Sequence, residues 1–600
     1  MTPLSPFAKR IALLALFCLP LLPSSLTAQV TPEQRPIASY DEPRNPVATD
    51  PELWEGVKGL QAKWGSIDVR YPKELPPDPE TLSPKIRLSG WRGEKVSAQI
   101  AVLNAGERDE MVRLILSELK KGRDAIPAEC LSASFVRYLL TDELNKDGRG
   151  GCGARPDHSL FDSTLVADPI DHLSKELVVE RLTTRPVWFS IQIPPEAAPG
   201  VYSGKITVAG ESRRKISLPY TLTVRERLLP PPPAWRFVLD LWQNPFAVAR
   251  YHGTPLWSKA HFDALRPYME MYRDAGGKII TASIMHKPWN GQTEDYFHSM
   301  VSWEKDFDGK WRFDFTAFDR WVSFMTDLGI RDGIACYSMV PWDLTFPYYD
   351  RAAGETVFVK VKPGDPVYTE MWTAMLTAFA AHLRSKGWFE RTYIAMDERP
   401  REVMQETFRL IKAVDPDFKV SLAGALHEEL SDDLDYFCVP LRSKYAPETL
   451  SKRKADGDLT TFYTSCEEPF PNAFTFSSPA DSEWMGWYAA AADLDGYLRW
   501  AFNSWPRDPL RDSRFRTWAA GDTYWVCPGA RSTIRFERLI MGIQAFEKIR
   551  LLRDEFQSKG DLEGFRIINR ALSAFDEGRM PDESSAGQIA RARTLLAPYF

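Results

Sequence analysis

The chain contains 600 residues, carries a formal net charge of -6, and is 44% hydrophobic. This length predicts several domains rather than one. Mild acidity without a long run of Lys or Arg argues against nucleic acid as a partner, because nucleic-acid sites need a basic face. The eight histidines show no HExxH or comparable spacing, and no phosphate-binding or dinucleotide-binding motif occurs. We therefore expect neither a metal nor a cofactor.

The N-terminus has the pattern of a secretory signal peptide. Lys9 and Arg10 precede an apolar run, Ile11 to Leu22, and small residues follow as far as Ala28. The apolar run is too short for a helix that spans a bilayer. We therefore expect cleavage after Ala28 and an exported protein, periplasmic or secreted, that is soluble and not inserted in a membrane.

A leader and a β-rich region follow. Residues 29–84 are polar and rich in proline, which predicts an extended leader with ordered structure from about Lys85. Residues 85–229 contain short alternating segments separated by turn residues, a pattern typical of a β-sandwich. Prolines fill most of residues 230–234 and predict a stiff linker, so we place a domain boundary there.

After Ala234 the pattern changes to strands that alternate with helices. Apolar residues at helical spacing predict the helices His261–Ala275, Ala317–Leu328, Val367–Ser385 and Arg401–Val414. The predicted strands are Trp235–Trp242, Lys278–Met285, Gly333–Met339, Thr392–Met396, Lys419–Leu422, Asp435–Val439, Leu459–Thr464 and Leu494–Phe502. Eight strands in this alternation predict a (β/α)8 barrel of the TIM type over residues 235–530. Residues 531–600 predict a C-terminal helical segment that opens with a long helix, Thr533–Phe556.

The cysteines show no metal-binding spacing. Cys130 and Cys152 flank a Gly-rich loop and could pair in an oxidising compartment. The remaining four cysteines after the signal peptide lie in apolar, strand-like runs, which is typical of buried thiols. They are Cys336, Cys438, Cys466 and Cys527.

A pair of acidic residues ends the fourth predicted barrel strand. Tyr393 to Met396 lead directly into Asp397 and Glu398, and Pro400 prevents further sheet pairing. Two carboxyl groups, one protonated and one ionised, are the usual requirement for glycoside hydrolysis. The alternative is a solvated turn in which the two carboxylates pair with Arg399 and Arg401. The strand context favours Asp397 and Glu398 as catalytic residues, because chemistry in such barrels occurs at the C-terminal ends of the strands.

Aromatic, amide and carboxylate residues recur where the other predicted strands end. Flat rings beside planar hydrogen-bonding groups suit a sugar pocket, because sugars present apolar C–H faces. Trp342 and Asp343 also follow a strand, and any single one of these side chains could belong to the core instead. The residues that we predict to bind substrate are Trp242, Gln243, His286, Trp289, Tyr463, Trp500, Asn503 and Trp505.

The adjacency of Asp397 and Glu398 carries information about mechanism. Neighbours on a strand point to opposite faces, so both can address one substrate only where the strand ends and the backbone turns. One carboxylate would then lie beside the scissile oxygen and the other beside a neighbouring substituent. This arrangement suits substrate-assisted hydrolysis, in which the 2-acetamido oxygen of the sugar attacks the anomeric carbon.

Several long segments in matching order resemble glycoside hydrolase family 123, the β-N-acetylgalactosaminidases. They are GWRGEKVSAQIAVLN at 90–104, LDLWQNPFAVARYHG at 239–253, IAMDERP at 394–400, FYTSCEEPFPNAF at 462–474, LDGYLRWAFNSW at 494–505 and GDTYWVCPG at 521–529. The resemblance implies a β-sandwich followed by a (β/α)8 catalytic domain, no metal, and retention of configuration. By match of motif it assigns Asp397 to orient the 2-acetamido group, Glu398 to act as general acid/base, and Tyr463 to help hold the acetamido oxygen.

The expected substrate is thus a glycan with a terminal β-linked N-acetylgalactosamine. Two alternatives stay open. One is a related hydrolase acting on N-acetylglucosamine or another 2-acetamido sugar. The other is a glycan-binding protein on the same fold without catalysis, because fold alone does not establish function.

Overall fold

A computed structural model describes residues 37–142, 163–212, 214–468, 470–516, 518–576 and 583–600. The predicted signal peptide and Cys152 lie outside the described residues. Two β-sheets, a barrel and a group of C-terminal helices account for most of this part of the chain.

The N-terminal region contains two sheets whose facing side chains form one apolar core. The six-stranded sheet contains, in spatial order, Gly59–Gly65, Lys95–Ala105, Thr183–Gln192, Leu131–Thr141, Thr164–Asp171 and Ser532–Thr533. The seven-stranded sheet contains Ile86–Arg92, Lys215–Leu228, Gly200–Gly210, Glu110–Leu116 and Glu176–Val179, with the short strands Leu119–Lys121 and Asp124–Ile126 at one side.

Ordered structure begins before Lys85, so the prediction of an extended leader to residue 84 was wrong for part of that segment. Strand Gly59–Gly65 pairs antiparallel with Lys95–Ala105 and alternates half-buried and buried residues. Glu42 accepts hydrogen bonds from Arg137 and Arg185 in the interior. The proline-rich composition did not predict this strand, because the strand is stabilised by pairing with residues about forty positions later in the sequence. A local pattern cannot show such a pairing.

The eight predicted barrel strands all occur, and they form one parallel eight-stranded sheet, so the predicted (β/α)8 fold is confirmed. In chain order they are Val238–Leu241, Ile279–Ser283, Gly333–Tyr337, Thr392–Asp397, Lys419–Ala423, Tyr436–Pro440, Leu459–Tyr463 and Gly496–Arg499. From the second strand to the eighth, each strand pairs with the next along the chain, and the eighth pairs with the first. Parallel strands covered by helices are buried on both faces, which explains their continuous apolar runs.

The first and second strands meet at a seam that side chains complete. Backbone pairing there is a single isolated bridge, Leu239 with Gly277. The amide of Gln243 donates to the Ile279 carbonyl at 3.1 Å and accepts from the Thr281 N–H at 2.9 Å. The Tyr272 hydroxyl lies 2.8 Å from the Leu239 carbonyl. Side-chain groups therefore replace part of the missing ladder.

Four of the helices around the barrel match predicted helices, and the first barrel helix has a cap at each end. Asn244 accepts from the N–H groups of Phe246 and Ala247 and precedes Pro245, and Gly253 ends that helix with φ of 62°. The barrel helices are Pro245–His252, Lys259–Asp274, Thr316–Asp327, Pro366–Lys386, Arg401–Val414, Pro447–Asp456 and Pro479–Ala491.

A four-stranded sheet is inserted in the loops that follow the second and third barrel strands. Its strands, in spatial order, are Trp311–Asp314, Ser302–Lys305, Thr345–Asp350 and Glu355–Lys360. These loops leave the C-terminal ends of the barrel strands, so the insertion stands on the face where the predicted catalytic residues lie.

The C-terminal helices are Ile534–Lys559, Leu562–Leu572 and Ser585–Leu596. The two residues before the first of them, Ser532 and Thr533, pair with Thr164–Asp171 in the six-stranded sheet. Fully buried ion pairs reinforce this junction, Arg531 with Asp171 at 2.6 Å and Arg535 with Asp168 at 3.0 Å. The C-terminal segment therefore holds the sandwich and the barrel together.

The cysteines differ from the prediction in two places. Cys130 is a free thiol, which contradicts a bond from it to Cys152. Cys466 takes part in a disulfide instead of being a buried thiol, because it lies in the loop after the seventh strand and not within the strand itself. The other three cysteines of the predicted group are buried thiols: Cys336, Cys438 and Cys527.

Candidate active site

Asp397 and Glu398 reach the same cavity because the backbone changes direction between them. Asp397 is the last residue of the fourth strand, whereas Glu398 has φ of 30°, outside the strand region. The Glu398 N–H donates to the Ala423 carbonyl at 2.8 Å. A Cβ at position 424 would lie 3.1 Å from both N and Cα of Glu398, so Gly424 gives this turn its space. The turn therefore aims adjacent carboxyl groups at one place.

The cavity lies at the C-terminal ends of the barrel strands and has a volume of about 630 Å³ including its open mouth. Six of the thirteen lining residues are aromatic, and two carry carboxyl groups. The lining residues are Trp242, Trp289, Gln292, Trp342, Asp397, Glu398, Ala423, Tyr463, Ser465, Cys466, Leu498, Trp500 and Trp518.

The carboxylate of Asp397 is buried and has a donor on each oxygen. Trp342 donates its indole N–H to Oδ2 at 2.9 Å, and Arg399 donates to Oδ1 at 3.3 Å. Burial raises the pKa of Asp397, while the Arg399 charge and the Trp342 hydrogen bond act in the opposite direction. Asp397 is thus equipped with partners that stabilise its ionised form.

Glu398 has a different environment. The residue is exposed as a whole, but its carboxyl group lies in the cavity, where Tyr463 donates to Oε1 at 3.0 Å. Desolvation raises the pKa of Glu398, and the negative charge of Asp397 raises it further against the effects of Tyr463 and Arg399. A raised pKa favours a protonated carboxyl group, which is what a general acid needs.

The aromatic walls are held rigidly. Trp242 and Trp289 stack with their ring centroids 4.6 Å apart and an interplanar angle of 24°. Trp500 donates its indole N–H to Asp522 at 3.1 Å, and its ring lies 6.0 Å from that of Trp518. Fixed rings of this kind offer flat apolar surfaces to a sugar with little loss of side-chain entropy.

Four of the predicted binding residues are not among the cavity-lining residues. Gln243 completes the barrel seam, and the Asn503 amide exchanges hydrogen bonds with the backbone of Asn244 at 2.9 Å. Trp505 is buried, donates to the Val526 carbonyl at 2.7 Å, and packs on Tyr251. His286 stacks on the ring of His298. All four residues lie in loops just after a strand. A side chain there can pack against the barrel and its loops as easily as it can face the cavity.

Sequence reasoning also missed functional candidates. Trp342 follows the third strand and is not among the predicted binding residues, although its indole N–H donates to Asp397. Arg399, an ion-pair partner in the solvated-turn alternative, pairs with Asp397 inside the site. Trp518 and Gln292 come from long loops without periodicity, so no local signal marks them. Asp343 caps a turn by accepting from the Thr345 N–H and does not line the cavity.

Within the described ranges, no group of three or more His, Cys, Asp or Glu side chains is arranged to hold a metal ion. In the same part of the chain, every helix is too short or too polar to cross a bilayer.

Comparisons with known proteins agree with the geometry. The family model described as "Glycoside hydrolase 123, catalytic domain" matches residues 242–552, and the model of the "Glycoside hydrolase 123 N-terminal domain" matches residues 64–210. A comparison with curated protein sequences finds no match.

Among solved structures, a family 123 glycoside hydrolase from Clostridium perfringens, described in terms of glycolipid glycan hydrolysis, is similar with a TM-score of 0.80 and 26% identity over 90% of this chain and 97% of that one. A Bacteroides ovatus xyloglucanase matches with a TM-score of 0.28 and 9% identity over 77% of this chain and 98% of that one. Two carboxyl groups at a barrel strand end, with family matches that span both regions of the fold, show that the chain belongs to glycoside hydrolase family 123.

Proposed function

We propose that this glycoside hydrolase is an exported, exo-acting β-N-acetylgalactosaminidase that retains configuration through the substrate's own 2-acetamido group. The observation that carries the proposal is the delivery of Asp397 and Glu398 from adjacent positions into one cavity. Ordinary retaining enzymes place two carboxyl groups about 5 to 5.5 Å apart across the scissile bond, one as nucleophile. The described lining residues contain no carboxylate other than these two, so the lining side chain that could serve as an enzyme nucleophile is Asp397 itself.

In the first step, Glu398 protonates the glycosidic oxygen while the acetamido oxygen attacks the anomeric carbon. The Asp397 carboxylate accepts the acetamido N–H, which makes the amide oxygen a better nucleophile and stabilises the positive oxazolinium ring. A charge-assisted hydrogen bond in a buried site is among the stronger interactions available. The Tyr463 hydroxyl, which donates to Glu398 in the free protein, then donates to the acetamido oxygen instead. The family motif implies this role for Tyr463.

In the second step, Glu398 acts as a base. It takes a proton from a water molecule that attacks the anomeric carbon from the side the aglycone has left, and the ring opens back to the acetamido sugar. Two inversions give overall retention. The same residue serves as acid and then base, as microscopic reversibility requires.

The walls favour a terminal sugar, since Trp500 and the Trp242–Trp289 pair can stack on its apolar faces. Glycans of glycolipids are among the candidate substrates, because the similar C. perfringens structure is described in those terms. Export is supported by the N-terminal pattern and by the disulfide at Cys466, because disulfides persist in oxidising compartments.

The test is hydrolysis of three nitrophenyl β-glycosides by the purified protein: N-acetylgalactosaminide, N-acetylglucosaminide and galactoside. We expect release from the first, weaker release from its glucosamine epimer, and essentially none from the galactoside, which lacks the acetamido nucleophile. A preference for the epimer would change the named substrate. Binding without release of any aglycone would favour the glycan-binding alternative.

A further inference from the structure

The Asp397 carboxylate accepts hydrogen bonds from residues of two loops. Trp342, in the loop after the third strand, donates to Oδ2 at 2.9 Å, and Arg399 donates to Oδ1 at 3.3 Å. The Arg399 guanidinium also lies over the Trp342 ring, 4.7 Å from its centroid, and donates through Nε to the Val340 carbonyl at 2.9 Å. We call Trp342 and Arg399 the Asp397 clamp.

The clamp has two physical consequences. A donor on each oxygen fixes the plane of the carboxylate, because rotation about the Cβ–Cγ bond would break both hydrogen bonds. It also opposes protonation, since hydrogen bonds from the Trp342 indole and the Arg399 cation are stronger to a carboxylate than to a neutral carboxyl group. Each oxygen has a second acceptor site, so one remains for a substrate N–H.

We propose that Trp342 and Arg399 are positioning residues that hold Asp397 ionised and in one orientation, so that Glu398 keeps the proton of the pair. The inference rests on the proposed function for the identity of the group that Asp397 receives. The effect of the Asp397 clamp does not depend on which substrate group Asp397 receives, because the clamp determines only which of the two carboxyl groups is ionised.

Other titratable groups also face the pair. Tyr337, at the end of the third strand, feels the Asp397 charge, and burial keeps its pKa well above the ordinary value, so it is neutral. On the other side Tyr463 has its pKa raised by burial and by Glu398. Glu468 is buried and accepts from the Ser465 N–H at 2.7 Å, and its charge further raises the pKa of Glu398. Within the described residues, Arg399 is thus the cation in contact with the pair.

The experiment compares pH profiles of kcat/KM for Arg399→Gln, Arg399→Lys and Trp342→Phe on the nitrophenyl β-N-acetylhexosaminide that the wild type cleaves best. Matched controls are Arg401→Gln, whose exposed guanidinium pairs with Glu429, and Trp311→Phe, whose indole donates to Glu370 outside the cavity. Thermal melts check that every variant folds.

We expect Arg399→Gln to lower kcat about 10- to 100-fold with little change in KM, the range for one hydrogen bond between charged groups. Both limbs of its pH profile should move to higher pH, because Arg399 lowers the pKa of both carboxyl groups. Trp342→Phe should move mainly the acid limb, since its N–H contacts Asp397 alone of the two. Arg399→Lys should restore most of the loss, and both controls should match the wild type.

Unmoved limbs in Arg399→Gln and Trp342→Phe would overturn the inference, as would a rise in KM at constant kcat. If Arg399→Gln fails to melt cooperatively, the acid limb of Trp342→Phe decides the question. Failure of the proposed mechanism is seen separately: comparable wild-type cleavage of the 2-hydroxyl galactoside would refute substrate assistance and leave the limb shifts standing.

Discussion

Replacement of Glu398 by Gln isolates the role of one proton. The Gln amide has nearly the same shape, and its carbonyl oxygen can still accept from the Tyr463 hydroxyl, which lies 3.0 Å from Oε1 in the wild type. Folding and binding should therefore survive while the transferable proton is lost. General acid catalysis contributes roughly 10²- to 10⁴-fold, or about 3 to 5 kcal/mol of transition-state stabilisation.

The size of the loss should depend on the leaving group. An alkyl or sugar aglycone needs a proton to depart, so kcat/KM for such substrates should fall by the full amount. A nitrophenolate departs with less help and should lose much less in the glycosylation step. The alkaline limb of the pH profile should also disappear, because it reports deprotonation of Glu398.

The assay is kcat/KM for paired nitrophenyl and disaccharide β-N-acetylgalactosaminides, with a thermal melt of the variant. Equal and small losses on both substrates would refute the assignment and make Glu398 a structural residue. A retained alkaline limb would move the acid role to another group.

Four further substitutions test other parts of the site and the scaffold. Asp397→Asn should lower kcat by several powers of ten. The wild type should cleave N-trifluoroacetyl substrates more slowly than N-acetyl substrates. Comparable wild-type rates on these two kinds of substrate would exclude an acetamido nucleophile. Trp500→Ala should lower kcat/KM by an amount that corresponds to roughly 1 to 3 kcal/mol, and the variant should still melt cooperatively. Trp505→Ala should instead lower the free energy of unfolding by about 3 to 5 kcal/mol, because Trp505 is fully buried. The reverse pattern in activity and melting would contradict both placements. In the barrel interior, burial raises the pKa of Asp240 to about 7 despite a hydrogen bond from Tyr436. Asp240 therefore keeps a proton in the folded protein that it releases in the unfolded chain. The free energy of unfolding should decline as pH rises from about 4 to about 7. Asp240→Asn should flatten that decline in melting temperature, and an unchanged slope would assign it to other groups.

Sequence patterns predicted those parts of the fold that depend on local repetition. The eight barrel strands could be predicted because each is a short apolar run, and helices with periodic apolar residues lie between several of them. Strand Gly59–Gly65 was missed because only its pairing with Lys95–Ala105 identifies it. The same distinction applies to Ser532–Thr533, which a helical pattern could not assign to the sandwich.

The site followed the same division. Asp397 and Glu398 could be located because a strand end, a proline and two acids are adjacent in sequence. Trp342 and Arg399 could not be recognised as partners of Asp397, since their contacts depend on how two loops meet. Gln243 and Asn503 had the right residue type and position, but seams and loop junctions also need buried amides to satisfy backbone groups.

The junction formed by residues 531–535 bears on how this enzyme can be divided or recombined. Removal of the N-terminal sheets would take Asp171 and Asp168 away from Arg531 and Arg535. It would also expose apolar side chains that those sheets cover, such as Ile534. A barrel expressed alone should therefore be insoluble, and gene rearrangements that move the barrel without its sheets should rarely survive selection.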